Sequence, residues 1–317
     1  MNTPMKYTNL DRNSWHEWLK SLQDLFSASF NSEVSSDYLE WRYYNNNQTD
    51  LLFCTGGEIG SASSSYSACP VELIQENSLI SSMTSMTTMT RPSQQGKGWF
   101  PFLAKELYAR AGQCGIQFVW GFPNSRSHRT FIRDLGWTNI YEIPTLSLDL
   151  ALHILVPSIA TNVKRDDDFC LTYIPLSQDG LIKVRKSQEY LKWRYAEHPE
   201  NEYRNYVIED EGCVVSYIVT KIFEDGIDLV DIQVSSEPHL LTILGQVIFE
   251  AMKSDKRRIS CWSPINHFSH LALEKLGFQN GAPVTYFGGR ALGSGTQPSN
   301  WDDFTNWYIQ MGDSDVY

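Results

Sequence analysis

A short turn at residues 95–98, with the sequence Gln-Gly-Lys-Gly, has residue types that suit the binding of an anion. The Thr- and Met-rich residues 79–90 before it predict a strand, because β-branched threonine fits a pleated surface. Residues 100–112 after it predict a helix with one apolar face and a glycine at its end. Glycines let main-chain N–H groups approach an anion, and a helix N-terminus adds partial positive charge. This order of elements predicts a phosphate or pyrophosphate site, to which Lys97 could add a point charge.

Two common nucleotide-binding motifs are excluded by the residues around the turn. A dinucleotide-binding fingerprint would need the pattern G-x-G-x-x-G, but Phe100 and Pro101 follow closely after Gly98. A P-loop would need Gly-Lys-Ser or Gly-Lys-Thr, but Lys97 is followed by a glycine. The ligand that carries the anion therefore belongs to another class.

The composition narrows the possible functions further. The chain has 317 residues, enough for two domains of ordinary size, and a formal net charge of -11 with scattered basic residues. Nucleic-acid binding therefore has little electrostatic support. The start of the chain lacks the basic and apolar regions of a signal peptide, and no apolar run approaches the ~20 residues that cross a bilayer. We expect a cytoplasmic protein without a membrane partner.

The cysteines and histidines argue against a metal or disulfide framework. All six cysteines are isolated, without a C-x-x-C spacing, which is typical of a reducing compartment. His267 and His270 share a predicted helix face, but no third ligand accompanies them. No metal cofactor is expected.

Two landmarks recur in the same order along the chain and predict a duplicated domain. The hexapeptide at residues 38–43 returns at residues 190–195 with five of six positions identical. A Leu-Gly-aromatic sequence ends a predicted helix at Gly136 and again at Gly277. We interpret both hexapeptides as core aromatic residues with an arginine that anchors the helix, and a substrate contact is the alternative.

The two halves differ at the anion site. Where the first half has its glycine turn, the second has residues 235–239, in which Pro238 lacks an N–H and Glu237 would repel a phosphate. We therefore expect only the first half to hold an anion. The second half is expected to be a structural partner that could form one wall of the substrate site. The acidic run at residues 166–168 between the halves is interpreted as a solvated linker.

Together these motifs resemble the GNAT superfamily of acyl-CoA N-acyltransferases. Gln95 and Gly98 match its pyrophosphate loop, Gln/Arg-x-x-Gly-x-Gly/Ala, whereas Phe100 stands where a small residue is usual. Asn124 after a predicted strand, and the Leu-Gly-Trp that closes the next helix, resemble its second signature. The form of the loop also resembles a branch associated with bacterial surface-polysaccharide pathways. The internal repeat is similar to tandem GNAT enzymes such as N-myristoyltransferases.

The resemblance implies a fold and a domain division. The fold class is α/β (α+β), with two tandem GNAT-like domains, each a mixed, mainly antiparallel sheet flanked by helices. We expect an N-terminal domain with the acyl-CoA site at residues 1–152 and a degenerate copy at residues 153–290. Residues 291–317 are expected to form a C-terminal tail that docks near the active site.

The co-substrate that the resemblance implies is acetyl-CoA or another acyl-CoA. Main-chain groups at the end of the strand would pair with its pantetheine arm, and the glycine turn would hold its pyrophosphate. Residues at the start of the predicted helix that follows Asn124 would lie near the thioester. The predicted acyl-CoA-binding residues are Met89, Thr90, Arg91, Gln95, Gly96, Lys97, Gly98, Trp99, Phe100, Asn124, Ser127 and Phe131.

The expected reaction is transfer of an acetyl or other acyl group to a small amine acceptor, such as an amino-sugar nucleotide. Direct attack is expected, because no Cys or Ser lies in a nucleophile motif. Many enzymes of the GNAT superfamily use a tyrosine as the acid that protonates the departing thiolate. The corresponding position here, four residues before Gly136, is Ile132, which cannot donate a proton. The thiolate either leaves unassisted or is served by another residue.

The amine must lose a proton before it attacks, and two regions offer an acceptor. Deprotonating an amine with a pKa of about 10 costs ~4 kcal/mol at pH 7. Asp313, Asp315 or a terminal carboxylate at Tyr317 is one prediction, implied by the resemblance to N-myristoyltransferases, with an ordinary docked tail as the alternative. His128 is the other, as a base or substrate contact, with a solvated helix residue as the alternative. The competing function is a non-catalytic acyl-CoA-binding or scaffolding module.

Overall fold

The computed structural model of the chain describes residues 5–45, 51–152, 162–174, 180–293, 295, 297–315 and 317. These residues form two compact units. The first unit draws on Met1–Leu73, Leu79–Tyr141 and Tyr286–Asp302, and the second on Ile74–Ser78, Glu142–Thr285 and Asp303–Tyr317. The predicted domain limits at residues 152 and 290 divide the chain by sequence, and they stay a prediction beside these spatial units.

One succession of elements occurs twice: three strands, a helix, a strand, a helix and a strand. As far as residue 149 the elements are β1 (Tyr7–Asn9), α1 (Trp15–Phe30), α2 (Ser36–Leu39), β2 (Phe53–Glu58), β3 (Ser61–Gln75), β4 (Ser78–Thr90), α3 (Trp99–Gln113), β5 (Phe118–Gly121), α4 (His128–Leu135) and β6 (Thr138–Asp149). From residue 164 they are β7 (Lys164–Arg165), β8 (Thr172–Tyr173), β9 (Ile182–Val184), α5 (Gln188–Leu191), β10 (Tyr203–Asp210), β11 (Cys213–Phe223), β12 (Gly226–Gln233), α6 (Glu237–Lys253), β13 (Arg258–Cys261), α7 (Phe268–Lys275), β14 (Gln279–Ala291) and β15 (Trp307–Tyr308).

The first unit contains a sheet in the order β1-β2-β3-β4-β5, continued by the last residues of β14. The pairs β1–β2, β2–β3 and β5–β14 are antiparallel, whereas β4 and β5 run parallel because α3 crosses over between them. The strand predicted at residues 79–90 is β4 and the helix predicted at residues 100–112 is α3, so both predictions are confirmed. Apolar residues at helical spacing bury α3 against the strands: Leu103, Ala104, Leu107 and Ala111, with Met83 and Val119 opposite.

The second unit repeats this plan. Its sheet has the last residues of β6 at one side, followed by β13-β12-β11-β10-β7. Here β12 and β13 are the parallel pair, joined by α6, and the other neighbours in this order are antiparallel. The apolar face of α6 covers the sheet through Leu240, Ile243, Leu244, Val247, Ile248 and Ala251.

Both hexapeptides lie in short helices that widen into a π-helical turn. The turns are Glu40–Tyr44 in the first unit and Lys192–Ala196 in the second. Their tryptophan, arginine and second tyrosine are buried in both copies, in agreement with the interpretation of these aromatic residues as core. The arginines are 3% exposed at Arg42 and 1% exposed at Arg194. The repeat therefore encodes the same local packing twice.

The interpretation of residues 166–168 as a solvated linker is wrong for Asp166. Its carboxylate accepts hydrogen bonds from the N–H groups of Cys170 at 2.9 Å and Leu171 at 3.1 Å, and from the Tyr173 hydroxyl at 2.7 Å. The neighbouring Asp167 accepts from the N–H of Asn205 at 2.8 Å. An acidic run forms ordered structure when the chain turns its N–H groups toward the carboxylates, and sequence alone does not show that turn.

Two kinds of feature are missing from the described ranges. Every helix there is too short or too polar to cross a bilayer. No group of three or more His, Cys, Asp or Glu side chains there is arranged to hold a metal ion.

Candidate functional site

In the first unit, two parallel strands separate beside the glycine turn. Pairing between β4 and β5 ends at Ser85 and Gly121, whereas β4 continues to Thr90. Thr87 has a positive φ of 44°, which marks an irregularity in β4 just beyond the last paired residue. A strand that has lost its neighbour presents main-chain N–H and C=O groups on that side. We call the space beside β4, beyond the end of β5, the cleft of the first unit, and β4 presents main-chain N–H and C=O groups to it.

The residues at the end of β4 differ in the direction of their main-chain groups. The N–H of Arg91 donates to the carbonyl of Ser63 at 3.0 Å, so it points toward β3. The carbonyl of Met89 accepts from the Ser64 hydroxyl at 2.7 Å. Because successive residues of a strand direct their main-chain groups to opposite edges, the N–H of Thr90 faces away from β3. Of the three residues predicted to pair with pantetheine, Thr90 is the one that faces the cleft.

The glycine turn is exposed and its main-chain N–H groups are accessible. Gly98 is the N-cap residue of α3 with φ 83°, and Gly96 has φ 73°, conformations that residues with a Cβ rarely adopt. Within the described part of the chain, no hydrogen bond engages the N–H groups of Gly96, Lys97 or Gly98. No side chain caps α3 either, so its first N–H groups also lack a partner within the helix. The turn therefore presents several main-chain N–H groups without partners among the described residues, and its binding of an anion stays a prediction.

Phe100, which departs from the family pattern, packs into the core. Its ring lies 5.8 Å from that of Tyr66 and 5.0 Å from that of Phe131, measured between centroids. Trp99 also lies at the edge of this cluster. The bulky residue is therefore accommodated by aromatic neighbours at the start of α3, and the turn keeps its exposed glycines.

A chain of buried hydroxyl groups leads to the point where the strands separate. The Tyr66 hydroxyl donates to Ser85 Oγ at 2.8 Å and lies 2.9 Å from the Tyr108 hydroxyl, which accepts from Trp137 Nε1 at 3.0 Å. Burial raises the pKa of both tyrosines above the usual value, so both remain protonated at neutral pH. Local sequence patterns do not indicate this network, because its members come from β3, β4, α3 and the residue before β6.

Asn124, Ser127 and Phe131 organise the entry into α4. The side-chain oxygen of Asn124 accepts from the N–H groups of Arg126 and Ser127, both at 3.0 Å, and lies 3.2 Å from Ser127 Oγ. The ring of Phe131 is buried between Phe100 and Trp137, 4.4 Å from the latter. The side-chain oxygen of Asn124 and Ser127 therefore shape the turn, and their contact with acyl-CoA stays a prediction.

His128 at the start of α4 is held by two neighbours. Its ring stacks on Tyr286 at 4.1 Å between centroids, and Nε2 lies 2.9 Å from the side-chain oxygen of Asn139. Because that oxygen can only accept, Nε2 carries the hydrogen and Nδ1 is the basic nitrogen. His128 is thus more ordered than a solvated helix residue, and its role as a base stays a prediction.

The predicted carboxylates belong to the second unit, where Asp313 is deeply buried. Its Oδ1 lies 3.0 Å from Lys186 Nζ, and its Oδ2 accepts from the N–H of Gln310 at 2.8 Å. Burial raises the pKa of Asp313, and Lys186 opposes the shift. Asp315 is partly buried, and the Tyr317 carbonyl accepts from Arg194. Proton acceptance by Asp313 would therefore disturb an internal ion pair.

Comparison with known proteins gives the fold. No protein-family model matches the sequence, and no curated protein matches it either. A probable N-acyltransferase of Enterococcus faecalis V583 superposes with a TM-score of 0.70 at 13% identity, over 92% of this chain and 73% of that one. Saccharomyces cerevisiae N-myristoyltransferase with bound myristoyl-CoA gives 0.61 at 10% identity, over 97% and 84%. A tandem GNAT protein from the clavulanic acid pathway gives 0.56 at 11% identity, over 92% and 100%.

These likenesses establish the fold class. The predicted fold, with mixed, mainly antiparallel sheets flanked by helices, is confirmed, and it is similar to the fold of a tandem GNAT protein. The narrower resemblance to a polysaccharide-associated branch is not tested by them and stays a prediction.

Proposed function

We propose that the protein is an acyl-CoA-dependent N-acyltransferase whose acyl-CoA site lies in the first unit. The observation that carries this proposal is the exposed turn with Gly96 and Gly98 at the uncapped start of the 15-residue helix α3, beside the separated strands β4 and β5. The structural neighbours support it, since one is a probable N-acyltransferase and another is an N-myristoyltransferase with bound myristoyl-CoA.

The turn binds the pyrophosphate of the carrier. Hydrogen bonds from N–H groups to a charged phosphate contribute about 1.5–3 kcal/mol each, and the helix dipole adds about 0.3–1 kcal/mol. Lys97 supplies a positive charge at the same place, although its Nζ also donates to Gln94 Oε1 at 3.0 Å. Several such contacts together seat a diphosphate at the start of α3.

The pantetheine arm then lies between β4 and β5, where the N–H of Thr90 pairs with one of its amides. An acceptor amine held beside the thioester attacks the carbonyl carbon directly and forms a tetrahedral intermediate. The carbon–sulfur bond then breaks, giving an amide and the CoA thiolate. Holding both reactants in place can supply about 7–11 kcal/mol of the barrier reduction, more than any single side chain.

Ser85 is the proposed hydrogen-bond donor to the departing thiolate. Its oxygen accepts from Tyr66 at 2.8 Å, so its own hydrogen is available to point into the cleft where the strands separate. Tyr66 and Tyr108 behind it fix the direction of that hydrogen. This network takes the role of the tyrosine that position 132 lacks, because isoleucine stands there.

The acceptor is proposed to be a small molecule with a primary amine. An amino-sugar nucleotide is the proposed example, and it rests on the resemblance of the loop sequence alone. A cytoplasmic location is likewise proposed from the sequence. His128, with Nδ1 as its basic nitrogen, is the proposed proton acceptor within the first unit.

A thiol-release assay with a panel of amines tests the proposal. Acetyl-CoA and longer acyl-CoA thioesters are supplied in turn, and free CoA thiol is measured with and without each amine. We expect release only when an acceptor is present. No acyl-CoA binding in calorimetry contradicts the proposal, and binding without release under any amine favours the non-catalytic alternative, which the isoleucine at position 132 also favours.

A further inference from the structure

The second unit contains a cleft of the same kind as the first. Its parallel pair, β12 and β13, ends at Leu229 and Cys261, whereas β12 continues to Gln233. The register between β12 and β11 shifts at the same place, so that Val230 is an extra residue in β12. As in the first unit, an irregularity immediately follows the last paired residue. The main-chain groups at the end of β12 therefore need partners other than β13.

Residues 307–315 and 317 supply those partners. The N–H of Ile232 donates to the side-chain oxygen of Gln310 at 2.8 Å, and its carbonyl accepts from the Tyr308 hydroxyl at 2.5 Å. Tyr317 reaches the other wall, where its ring lies 5.3 Å from that of Trp262, the residue after β13. The segment thus contacts both strands beyond the point where their pairing ends.

Arg194 holds this segment by its main chain. Its Nε donates to the carbonyl of Gly312 at 3.0 Å, and its Nη2 donates to the carbonyls of Ser314 (3.2 Å) and Tyr317. The guanidinium is buried, and Nη1 donates to the Tyr203 hydroxyl at 3.1 Å. A planar group with five donors suits several carbonyls of a bent peptide, and such contacts do not depend on the peptide's side chains.

Two further features give the cleft selectivity for this segment. Lys186 Nζ lies 2.7 Å from Asp231 of β12 and 3.0 Å from Asp313 of the segment, so the segment completes a buried charge cluster. Gly312 packs so closely that a Cβ there would collide with the Tyr195 hydroxyl oxygen and lie 2.9 Å from the Val230 carbonyl. The cleft therefore fits a peptide with glycine followed by an acidic residue.

We propose that the cleft of the second unit is a peptide-binding site, occupied by the chain's own residues 307–315 and 317. In this unit the segment takes the place that the pantetheine arm takes in the first, so that the chain has one acyl-CoA site. The statement about the number of acyl-CoA sites rests on the proposed function, whereas the peptide site stands on the contacts alone.

The test uses a chain that ends at Asn306 and a synthetic peptide of residues 307–317. Calorimetry should show one peptide bound per chain. A Gly312→Val peptide should bind at least tenfold more weakly, and a scrambled peptide should not bind. On the protein side, Arg194→Lys should weaken binding at least tenfold, because lysine cannot bridge several carbonyls. A folded shortened chain that binds the native and scrambled peptides equally well would overturn the proposal.

A second measurement covers the case in which the shortened chain does not fold. In the full-length protein, amide hydrogen exchange at Ile232 should be at least tenfold faster in Arg194→Lys than in the unsubstituted chain. Exchange in β5 of the first unit should not change. Equal exchange at Ile232 in both proteins would overturn the proposal without any need for the shortened chain.

The number of acyl-CoA sites separates this proposal from the proposed function. One acyl-CoA per full-length chain supports both. Two per full-length chain would overturn the exclusion of acyl-CoA from the second cleft while retaining the proposed activity. Peptide binding by a protein that binds no acyl-CoA would retain the peptide site and remove the proposed activity.

Discussion

The two units differ in what lies beyond the end of their parallel strand pair. In each, the pairing of two parallel strands ends before the first strand does, and a helix begins after that strand. In the second unit the start of α6 is capped by Ser236, whose side chain accepts from the N–H of His239 at 3.4 Å, and a proline stands in its first turn. The cleft beside it is occupied by residues 307–315 and 317. In the first unit α3 begins at Gly98 without a side-chain cap.

The difference shows how a binding site can be recognised in a duplicated fold. Main-chain polar groups in a folded protein need partners, from the chain, from water or from a ligand. The second unit supplies them internally, through Gln310 and Tyr308 on Ile232 and through Arg194 on the segment. The first unit leaves the turn at residues 95–98 exposed. The copy whose hydrogen-bonding groups stay accessible is the copy expected to bind a ligand.

The largest effect is expected from a charge placed in the turn of the first unit. Gly98→Asp introduces a Cβ at φ 83° and a negative charge beside the proposed diphosphate. Loss of one charge-assisted hydrogen bond and like-charge repulsion together cost about 3–4 kcal/mol, so acyl-CoA affinity should fall ~100- to 1,000-fold. The matched control is Gly115→Asp, because Gly115 has φ 83° in an exposed turn beyond the opposite end of α3. Acyl-CoA affinity is measured by calorimetry. An equal loss of affinity in both variants would contradict the assignment of the ligand site to the turn.

A smaller effect is expected from removing one hydroxyl behind the cleft. Tyr66→Phe frees the orientation of Ser85 and should lower kcat about 10- to 100-fold with little change in acyl-CoA affinity. Because burial raises the pKa of Tyr66, the hydroxyl stays protonated through neutral pH, and kcat in the unsubstituted enzyme should show no decline there from this group. Rate measurements with acyl donors of different thiol acidity check the role, since an acidic thiol should need Ser85 least. An equal loss for every thiol would point to a packing defect instead.

In the second unit a buried carboxylate should affect stability and leave acyl-CoA binding alone. Burial raises the pKa of Asp228 on β12 to about 6, from an ordinary value of 3.8. A raised pKa in the folded state means that its contribution is present below pH ~4 and is lost as the pH rises through ~6. Asp228→Asn should therefore stabilise the protein by about 1–2 kcal/mol at pH 7.5 and much less at pH 4. Thermal unfolding measures this, with the exposed Asp225→Asn as control. A stabilisation that does not depend on pH would contradict the assignment.

The smallest effect is expected from the exposed lysine of the turn. Lys97→Ala removes a solvated charge, so acyl-CoA affinity should fall about 2- to 5-fold at low salt. The difference should shrink in about 1 M salt, where charges are screened within ~3 Å. Lys105→Ala, exposed further along α3, serves as the control and should change little. A large effect that persists in high salt would show that Lys97 holds the ligand by more than its charge.

Local patterns predicted the parts of the first unit that depend on neighbouring residues. The period of the apolar residues fixed α3, the β-branched residues indicated β4, and the glycines marked a turn with positive φ. The difference between the two helix starts was also expected, because Pro238 and Glu237 stand where the first half has glycines. These features are encoded within a few residues of one another.

Contacts between residues that are far apart in the sequence cannot be predicted from local sequence patterns. The chain of hydroxyl groups from Ser85 through Tyr66 to Tyr108 joins three elements, and no spacing of residues in the sequence predicts it. The three carbonyls bound by Arg194 belong to the main chain, so no side-chain motif marks them. The interpretation of Asp166 as solvated is wrong because the sequence does not distinguish a carboxylate that accepts hydrogen bonds from N–H groups from one that faces solvent.

A crystal structure of the 317-residue chain with acetyl-CoA tests the central claim most directly. The account predicts one acetyl-CoA per chain, with its diphosphate within hydrogen-bonding distance of the N–H groups at residues 96–99 and its pantetheine arm between β4 and β5. Acetyl-CoA bound at the start of α6, or a diphosphate far from the turn in the first unit, would contradict it.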